Sequence, residues 1–483
     1  MKTIFITIGE SFAARNVFRT DFWPLFLKNN PRIEIILLTV PDKKEYYEKS
    51  FGSPNVTVEG LNPRFRSRVS GVVASLARSG IKNHTNLWSK MRSYERGDSG
   101  FAVTFFKRAL TFLLGNSASY KRLLRFLFLR TMPTRELVAL FEKYKPGLLF
   151  ATSLTHIDFD VPIAVEAKRR GIRTVGMVRS WDNFSSHGLL RFVPDRFLLQ
   201  NVFLKEMAYR YQAMSEGRPP IDIIGLPHYD FYKRLDSFLE TREAFFNRMG
   251  LDPQKKLILY GAMGDFLFPH EGEIADVLEQ LISSKKIHYT AQVIFRAHPK
   301  FQSPFERMKT MRYVKPDRGA TYLRPAEQKE SSGDTRHFIH GDLRSMEMEL
   351  SDMRHLINSL YHSDVVVTGA STMAIDAAVL DKPTVCVGFN GLTPENKVPY
   401  WVSVRRFYDT YTHFEALMET GGARLADNPD ELAAHINSYI EDPSQDREKR
   451  RKIVEKFVEP FDGKASERLE HVISSEVDAL FEK

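Results

Sequence analysis

The chain has 483 residues and a net charge of +9, with 69 Lys and Arg against 60 Asp and Glu. One hydrophobic core rarely organises so long a chain, so the length predicts two domains of roughly 200 residues each. The single cysteine, Cys386, excludes a disulfide framework. No apolar run approaches the roughly 20 residues of a spanning helix, and the opening segment MKTIFITIGES is typical of a first strand. We therefore expect a cytoplasmic protein, soluble or peripheral at the inner face of the plasma membrane.

Short apolar runs alternate with helical patterns through the first half of the chain. This alternation is typical of a doubly wound parallel sheet, so we predict an α/β, Rossmann-like domain over residues 1–235. Its predicted strands are 3–8, 33–40, 56–59, 148–152, 174–179, 196–199 and 222–224.

A basic helical insertion is predicted within this domain at about residues 62–145. From 62 to 135 there are fifteen Lys and Arg against Glu95 and Asp98, interleaved with Phe and Leu. The combination suits the interface of an anionic membrane. Alternatively, the apolar residues pack on the sheet while the cations face water; nucleic-acid binding is a lower-ranked interpretation because no reading motif is present. The cations expected at lipid headgroups are Lys107, Arg108, Lys121, Arg122 and Arg125.

Candidate catalytic residues of the first domain follow its predicted strands. Glu10 comes directly after the first strand, and Asp182 follows the strand that ends at 179. Either carboxylate is placed to accept a proton from an acceptor hydroxyl, although Glu10 is also spaced to pair with Arg15 or Arg19. Trp181 offers an aromatic face to a sugar, and an Asx turn covering a core tryptophan is the alternative interpretation. The remaining candidate bases are His156, His187 and His228.

A second alternating set begins at 256 and predicts a nucleotide-binding domain over residues 236–445. The strand KLILYG leads into the loop 261–264, where Gly264 would let backbone and ligand approach closely. The strand AQVIFR releases Arg296 and His298 at its carboxyl end, which is where doubly wound sheets bind ligands. An arginine binds phosphate through two donors, and an imidazole can donate to a phosphate oxygen or, when protonated, offset leaving-group charge.

A third buried strand, 365–367, runs through a small polar turn into a helix. The turn holds Gly369, Ser371 and Thr372, and the predicted helix begins at about 371. Free N–H groups and two hydroxyls at that point would attract an anion. Asp376, one turn further, is placed to accept hydrogen bonds from a ribose diol. An N-capped helix after a core strand is the alternative.

Four segments in this order resemble the donor half of a GT-B glycosyltransferase: GAMG, RAHP, SDVVVTGASTMAIDAAVLDKP and FDGKASERL. The group they resemble contains the CDP-glycerol glycerophosphotransferase-like enzymes and other transferases that build bacterial surface polymers. The resemblance implies that His298, Ser371 and Thr372 hold the pyrophosphate and that Asp462 to Lys464 close the C-terminal end. It also implies no metal, and a tail at 446–483 that crosses back to the first domain. The chain departs from the family where Gly-Ala-Ser-Thr replaces Asp-Tyr-Ser-Ser, which favours a sugar nucleotide over a glycerol-phosphate donor.

The sequence therefore predicts a metal-independent glycosyltransferase. It would move a sugar from a nucleotide-sugar, bound as a substrate and not as a cofactor, to a cell-surface glycan or lipid-linked acceptor. A glycerophosphotransferase and a sugar-nucleotide epimerase on the same fold are the enzymatic alternatives. A non-catalytic basic protein that binds membrane or nucleic acid is the alternative of another class.

Overall fold

The computed structural model describes residues 2–61, 67–154, 159–301, 303–317, 319, 321–322 and 346–482, with only the backbone of 321–322. The chain forms two compact units. Unit 1 contains Met1–Lys233 and Phe457–Lys483, and unit 2 contains Arg234–Lys456. The chain leaves unit 1 after Lys233, and the boundary was predicted at 235. It returns to unit 1 at Phe457, whereas the tail was predicted to start at 446.

Unit 1 is built on a seven-stranded parallel sheet with the order β3-β2-β1-β4-β5-β6-β7. The central strands are short, rich in Ile, Leu and Val and buried on both faces, as expected of a sheet covered by helices on both sides. The strands are β1 Lys2–Thr7, β2 Ile33–Thr39, β3 Val56–Gly60, β4 Leu148–Ala151, β5 Arg173–Met177, β6 Arg196–Leu199 and β7 Ile221–Ile223.

Helices connect these strands, and five of those in the described residues lie between β3 and β4. A π-helical turn at Ala14–Phe18 continues α1, and 3₁₀ turns occur at Pro41–Lys43 and Pro227–Lys233. The helices are α1 Ser11–Ala13, α2 Phe22–Asn29, α3 Lys44–Phe51, α4 Arg68–Ala77, α5 His84–Glu95, α6 Phe101–Leu114, α7 Ala118–Thr131, α8 Arg135–Tyr144, α9 Asp160–Arg169, α10 Asn183–Ser186 and α11 Val202–Tyr211.

Unit 2 has a six-stranded parallel sheet with the order β10-β9-β8-β13-β14-β15 and a separate antiparallel pair, β11 with β12. Counted within the unit, the six strands follow the 3-2-1-4-5-6 order of a Rossmann sheet. The strands are β8 Lys256–Gly261, β9 Ala291–Arg296, β10 Val314–Asp317, β11 Thr321–Tyr322, β12 Met346–Glu347, β13 Val365–Thr368, β14 Thr384–Val387 and β15 Arg424–Ala426.

Helices also connect the strands of unit 2, so the prediction of two Rossmann-like α/β domains is confirmed. Its 3₁₀ turns are Leu235–Ser237 and Glu395–Lys397. The helices are α12 Arg242–Met249, α13 Glu271–Ser283, α14 Phe305–Met308, α15 Leu350–His362, α16 Met373–Val379, α17 Arg405–Thr410, α18 Thr412–Met418 and α19 Pro429–Glu441.

The chain returns to unit 1 through two further helices, α20 Arg447–Phe457 and α21 Ala465–Asp478. Helix α21 places Leu469, Val472, Ile473 and Val477 in the same hydrophobic cluster as β1 and β2. The burial of these apolar side chains supplies most of the attachment, because transfer of apolar surface from water is the main favourable contribution to packing.

An ion-pair network fixes the end of α21 against β5 and β6. Arg173 donates two hydrogen bonds to the Glu476 carboxylate, at 2.8 and 2.9 Å, and Arg196 donates a third at 3.2 Å. Burial alone would raise the pKa of Glu476, but the two guanidinium groups outweigh it and lower that pKa. Glu476 therefore stays ionised and paired at neutral pH.

We predict that Glu476→Ala lowers the free energy of unfolding of unit 1 by about 2 kcal/mol, because two guanidinium groups lose their charged acceptor. Chemical denaturation followed by circular dichroism measures this loss. Glu467→Ala, at an exposed position of the same helix, is the control and should change stability by less than about 0.5 kcal/mol. Equal losses in the two variants would contradict a specific role of the network.

Candidate functional site

The candidate site of unit 2 lies at the carboxyl ends of β8, β9 and β13, which are adjacent strands of its sheet. The direction of the crossover connections reverses between β8 and β13, and ligands of doubly wound sheets bind at such a switch point. Three loops meet there: 262–264, 297–300 and 369–372. The Thr368 hydroxyl donates to the Gly261 carbonyl at 2.7 Å and holds the first and third loops together.

His298 is held in one protonation state. Its Nδ1 accepts hydrogen bonds from the backbone N–H groups of Lys300, at 3.0 Å, and Phe301, at 3.2 Å. Burial, aided by the nearby Lys300 charge, lowers the pKa of His298 to about 3. The ring is therefore neutral at physiological pH, and because Nδ1 accepts, Nε2 carries the proton and is the donor.

This state restricts the chemistry of His298. Nε2 can donate a hydrogen bond to a phosphate oxygen, as the sequence predicts. It supplies no full positive charge to a leaving group and cannot act as a base through Nδ1, which is already occupied by two donors. The ring stacks on Phe301 with centroids 4.7 Å apart, which fixes its orientation.

Arg296 is engaged elsewhere. Its guanidinium pairs with Asp317 at 3.1 Å and donates to the Gly319 carbonyl at 3.3 Å, and both Arg296 and Asp317 are about 95% buried. His355 contacts the other Asp317 oxygen at 2.8 Å. The expected role in phosphate binding is therefore corrected: Arg296 joins the ends of β9 and β10, and we leave it out of the proposed site.

The loop after β8 is organised by a carboxylate that the sequence analysis did not single out. Glu271, the first residue of α13, is 1% exposed and accepts hydrogen bonds from the N–H groups of Met263, at 2.5 Å, and Gly264, at 2.7 Å, and from the Tyr260 hydroxyl. Burial raises the pKa of Glu271 to about 7 despite these donors, and Asp265 adds to the rise. The loop amides therefore bind a protein carboxylate.

Two glycines of the site serve close packing of the protein. Gly264 has a φ of +85°, and a Cβ there would lie 2.3 Å from Cβ of Phe301. A Cβ on Gly369 would lie 2.2 Å from Sδ of Met263. The expected approach of a ligand to Gly264 is corrected accordingly, since a side chain occupies that space.

The turn after β13 brings two hydroxyls to the site. Helix α16 begins at Met373, two residues later than predicted, so Ser371 and Thr372 precede it. The Ser371 hydroxyl accepts a hydrogen bond from the Met373 N–H at 3.2 Å, and Thr372 is exposed. Asp376 is half-buried in the first turn of the helix. The two hydroxyls follow β13 and the His298 Nε2–H follows β9, so these two strand ends contribute side-chain donors to the site.

Lys464 belongs to unit 1. It is exposed and directly precedes α21. Its N–H donates to Asp462 at 3.1 Å, and Arg468 lowers the pKa of Asp462 to about 2. Asp230 accepts from the N–H groups of Ala465 and Ser466, so this segment forms the N-terminus of a packed helix.

A second polar cluster lies at the switch point of unit 1, between β1 and β4. Glu10 follows β1 and accepts hydrogen bonds from the Ser153 hydroxyl, at 2.6 Å, and from Arg179, at 2.7 Å. The Ser153 N–H donates to Asp160 at 2.7 Å. Burial raises the pKa of Asp160 to about 7, and the Glu10 charge adds to the rise. Ser153 and Asp160 were not predicted; the position of Ser153 after a strand was the signal available.

The segment 180–187 is organised locally. Trp181 is 5% exposed with its ring 5.0 Å from that of Phe457, so the expectation that it stacks on a sugar is corrected to a core position. Asp182 precedes α10, accepts from the Ser186 hydroxyl at 2.7 Å and lies 3.3 Å from His187 Nε2.

Burial lowers the pKa of His228 well below its ordinary value. His156 lies outside the described residues.

The cations expected at lipid headgroups divide into two groups. Lys121 is 2% exposed, and Arg125 donates to the backbone carbonyls of Leu190 and Gln212, so both are structural and their predicted role is corrected. Lys107 and Arg108 are half-buried on α6, and Arg122 is exposed.

Within the described ranges, no group of three or more His, Cys, Asp and Glu side chains is arranged to hold a metal ion. None of the helices in the described part of the chain has the length and apolarity needed to cross a membrane.

Comparisons with known proteins concern the fold and the second half of the chain. Residues 340–475 match the family model of CDP-glycerol:poly(glycerophosphate) glycerophosphotransferase. No curated protein sequence is significantly similar to the chain. The UDP-GlcNAc 2-epimerase of Methanocaldococcus jannaschii is 13% identical with a TM-score of 0.51, over 98% of this chain and 100% of that one. A putative UDP-N-acetylglucosamine 2-epimerase of Listeria monocytogenes is 11% identical with a TM-score of 0.53, over 99% and 98%.

At these identities the likeness to solved structures shows the fold, which is GT-B. Together with the family match, it confirms the predicted resemblance to GT-B transferases of the glycerophosphotransferase group.

We predict that Glu271 makes unit 2 less stable as pH rises. A carboxyl whose pKa is higher in the folded state binds its proton more strongly there. Its contribution to the free energy of unfolding is therefore complete below about pH 4.5 and is lost as pH rises through about 7. Glu271→Gln should remove this dependence of stability on pH. The difference in the free energy of unfolding between the variant and the native chain should therefore change by about 1–3 kcal/mol between acid and neutral pH.

Urea denaturation at a series of pH values measures the difference between the two proteins. Glu279→Gln is the matched control, because Glu279 lies half-buried on the same helix and also accepts backbone hydrogen bonds. Parallel stability profiles for the native chain and Glu271→Gln would contradict the prediction.

Proposed function

We propose that this GT-B protein, with its transferase-family match at 340–475, transfers a sugar from a nucleotide-sugar to a surface glycan or lipid-linked acceptor at the cytoplasmic face of a membrane. The observation that carries the proposal is the position of three neutral donors, His298 Nε2–H and the Ser371 and Thr372 hydroxyls, in the loops that follow β9 and β13 beside the switch point of unit 2. The family model covers the turn between β13 and α16, in which two of them lie.

The proposed donor site would hold the diphosphate of the nucleotide. Neutral hydrogen-bond donors stabilise the charge that develops on a departing diphosphate, and a rigid donor needs no reorganisation during the reaction. His298 meets this requirement because two backbone N–H groups fix its tautomer. We assign Asp376 to the ribose diol, from which its carboxylate would accept hydrogen bonds, because it lies half-buried in the first turn of α16. No resident cofactor or metal is part of the proposal.

A glycerophosphotransferase is the second candidate function. The family match favours it, since that family is named for transfer from CDP-glycerol. The turn Gly-Ala-Ser-Thr favours the sugar nucleotide, because it differs from the family pattern at the residues nearest the proposed diphosphate. The nucleotide that binds would separate the two donors.

On the acceptor side, we assign Glu10 as the base. It lies at the switch point of unit 1, and its side chain is 17% exposed. Arg179 and Ser153 hold the carboxylate in place. Asp182 is the competing candidate, and its carboxylate accepts from Ser186 and Asn183.

We predict that Ser371→Ala and His298→Ala each weaken binding of the cognate nucleotide diphosphate by about tenfold or more, which is the effect of removing one hydrogen bond to a charged group. Isothermal titration with UDP, GDP, CDP, CMP and ADP measures the affinities. Ser284→Ala and His288→Ala, at exposed positions of the same unit, are the matched controls.

Selective binding of one nucleotide that both site variants weaken would support the donor site, and selectivity for CDP and CMP would favour the glycerophosphate donor. Binding that all four variants leave unchanged would overturn the assignment.

We predict that Glu10→Gln lowers turnover by about a hundredfold or more, the usual contribution of a general base, while nucleotide affinity stays unchanged. Asp182→Asn is measured beside it. Transfer from a radiolabelled donor to membrane extract gives the rate, and titration gives the affinity. A larger loss in Asp182→Asn than in Glu10→Gln would reassign the base.

A further inference from the structure

Helix α6 has its polarity reversed relative to an ordinary surface helix. Its buried side chains include two threonines, Thr104 at 3% and Thr111 at 0% exposure. Its outward side chains are aromatic and aliphatic, with Phe105 at 65%, Phe106 at 60% and Leu113 at 73% exposure. Helices of globular proteins normally place apolar residues inward and polar ones outward, so this face requires a partner other than water.

Hydrogen bonds explain why the polar side of α6 is the buried one. The Thr111 hydroxyl donates to the Lys107 carbonyl at 2.8 Å and accepts from Lys90 Nζ at 3.0 Å. Lys90 also donates to the Asn86 carbonyl at 2.6 Å. The inner face of α6 is therefore fixed to α5 by polar contacts, and turning the phenylalanines inward would break them.

The outward face is broad and continuous. At about 100° per residue, the apolar side chains of α6 cover about 220° of its circumference, and Lys107 and Arg108 lie at its two borders. Four members of this face are phenylalanines, and the whole set is large compared with the scattered apolar residues of ordinary surfaces. The exposed members are Phe101, Val103, Phe105, Phe106, Phe112, Leu113 and Leu114.

Cations surround this face. Arg108 lies over the Trp88 ring at 4.1 Å, and Lys82 lies over the Phe112 ring at 3.7 Å. Between Asp98 and Glu136 the sequence has seven Lys and Arg and no acidic residue. A second copy of the same surface would bring like charges together, whereas an anionic lipid surface complements them.

The length of α6 determines how it would meet a bilayer. Its 14 residues extend about 21 Å, which is less than the roughly 30 Å of a hydrocarbon core. A short amphipathic helix with a broad apolar face lies in the plane of the interface.

We propose that α6 is an in-plane membrane anchor, which inserts its outward phenylalanine and leucine face among the acyl chains of an anionic bilayer while the bordering cations meet the headgroups. This anchor rests on the proposed function, because that function places the acceptor at a membrane. The attachment is hydrophobic in origin, so it survives salt that screens the cations.

Flotation of the full chain with vesicles tests the proposal. The vesicles are phosphatidylcholine alone or mixed with phosphatidylglycerol, in about 0.1 M and about 1 M salt, where the screening length falls from roughly 10 to 3 Å. The test variant is Phe106→Asp with Leu113→Asp, at the centre of the face. Val202→Asp, at an apolar position of α11 that is 56% exposed, is the matched control.

We expect the native chain and Val202→Asp to float with phosphatidylglycerol vesicles at both salt concentrations, and the double variant to bind at least tenfold more weakly. Complete release of the native chain at high salt, equal binding by the double variant, or no binding at all would overturn the proposal. A native dimer that the double variant dissociates, seen by light scattering, would also overturn it in favour of a second copy.

Thermal denaturation and nucleotide titration of the same variants separate the outcomes. An unchanged melting temperature and nucleotide affinity in the double variant would attribute lost flotation to the surface and not to misfolding. Flotation without nucleotide binding in the native chain would overturn the donor site and leave the anchor intact.

Discussion

The reversal of connection direction in each parallel sheet is the constraint on which both candidate sites depend. Strands on either side of the reversal send their following loops away from one another, so a crevice opens at the carboxyl ends of the two central strands. In unit 2 these strands are β8 and β13, and in unit 1 they are β1 and β4. The same sheet order thus produces a cluster of polar groups twice, around His298 in one unit and around Glu10 in the other.

Backbone amides determine the chemical state of the groups at these crevices. Two amides fix the tautomer of His298, two others bind Glu271, and one binds Asp160. An amide cannot ionise, so it orients a titratable side chain without itself responding to pH. The donors of the unit 2 site are therefore neutral, whereas in unit 1 the Arg179 guanidinium also donates, to Glu10.

The sequence predicted the sheets because continuous apolar strands between helical patterns carry a local signal. It also placed His298, Ser371 and Glu10 correctly at strand ends, since those positions follow directly from the strands. It misassigned Arg296, whose partner Asp317 lies on a neighbouring strand that only the fold brings close. It left the orientation of α6 open, because composition and period describe an apolar face without saying whether the face points inward.

The late return of the chain to unit 1 has a consequence for biosynthesis. Leu469, Ile473 and Val477 complete a core whose other members include residues of β1, β2 and β4. A ribosome delivers those strands first and α21 several hundred residues later, whereas unit 2 is continuous from Arg234 to Lys456. Unit 1 therefore exposes an unfilled groove until α21 has been synthesised, although its seven strands are all made before unit 2.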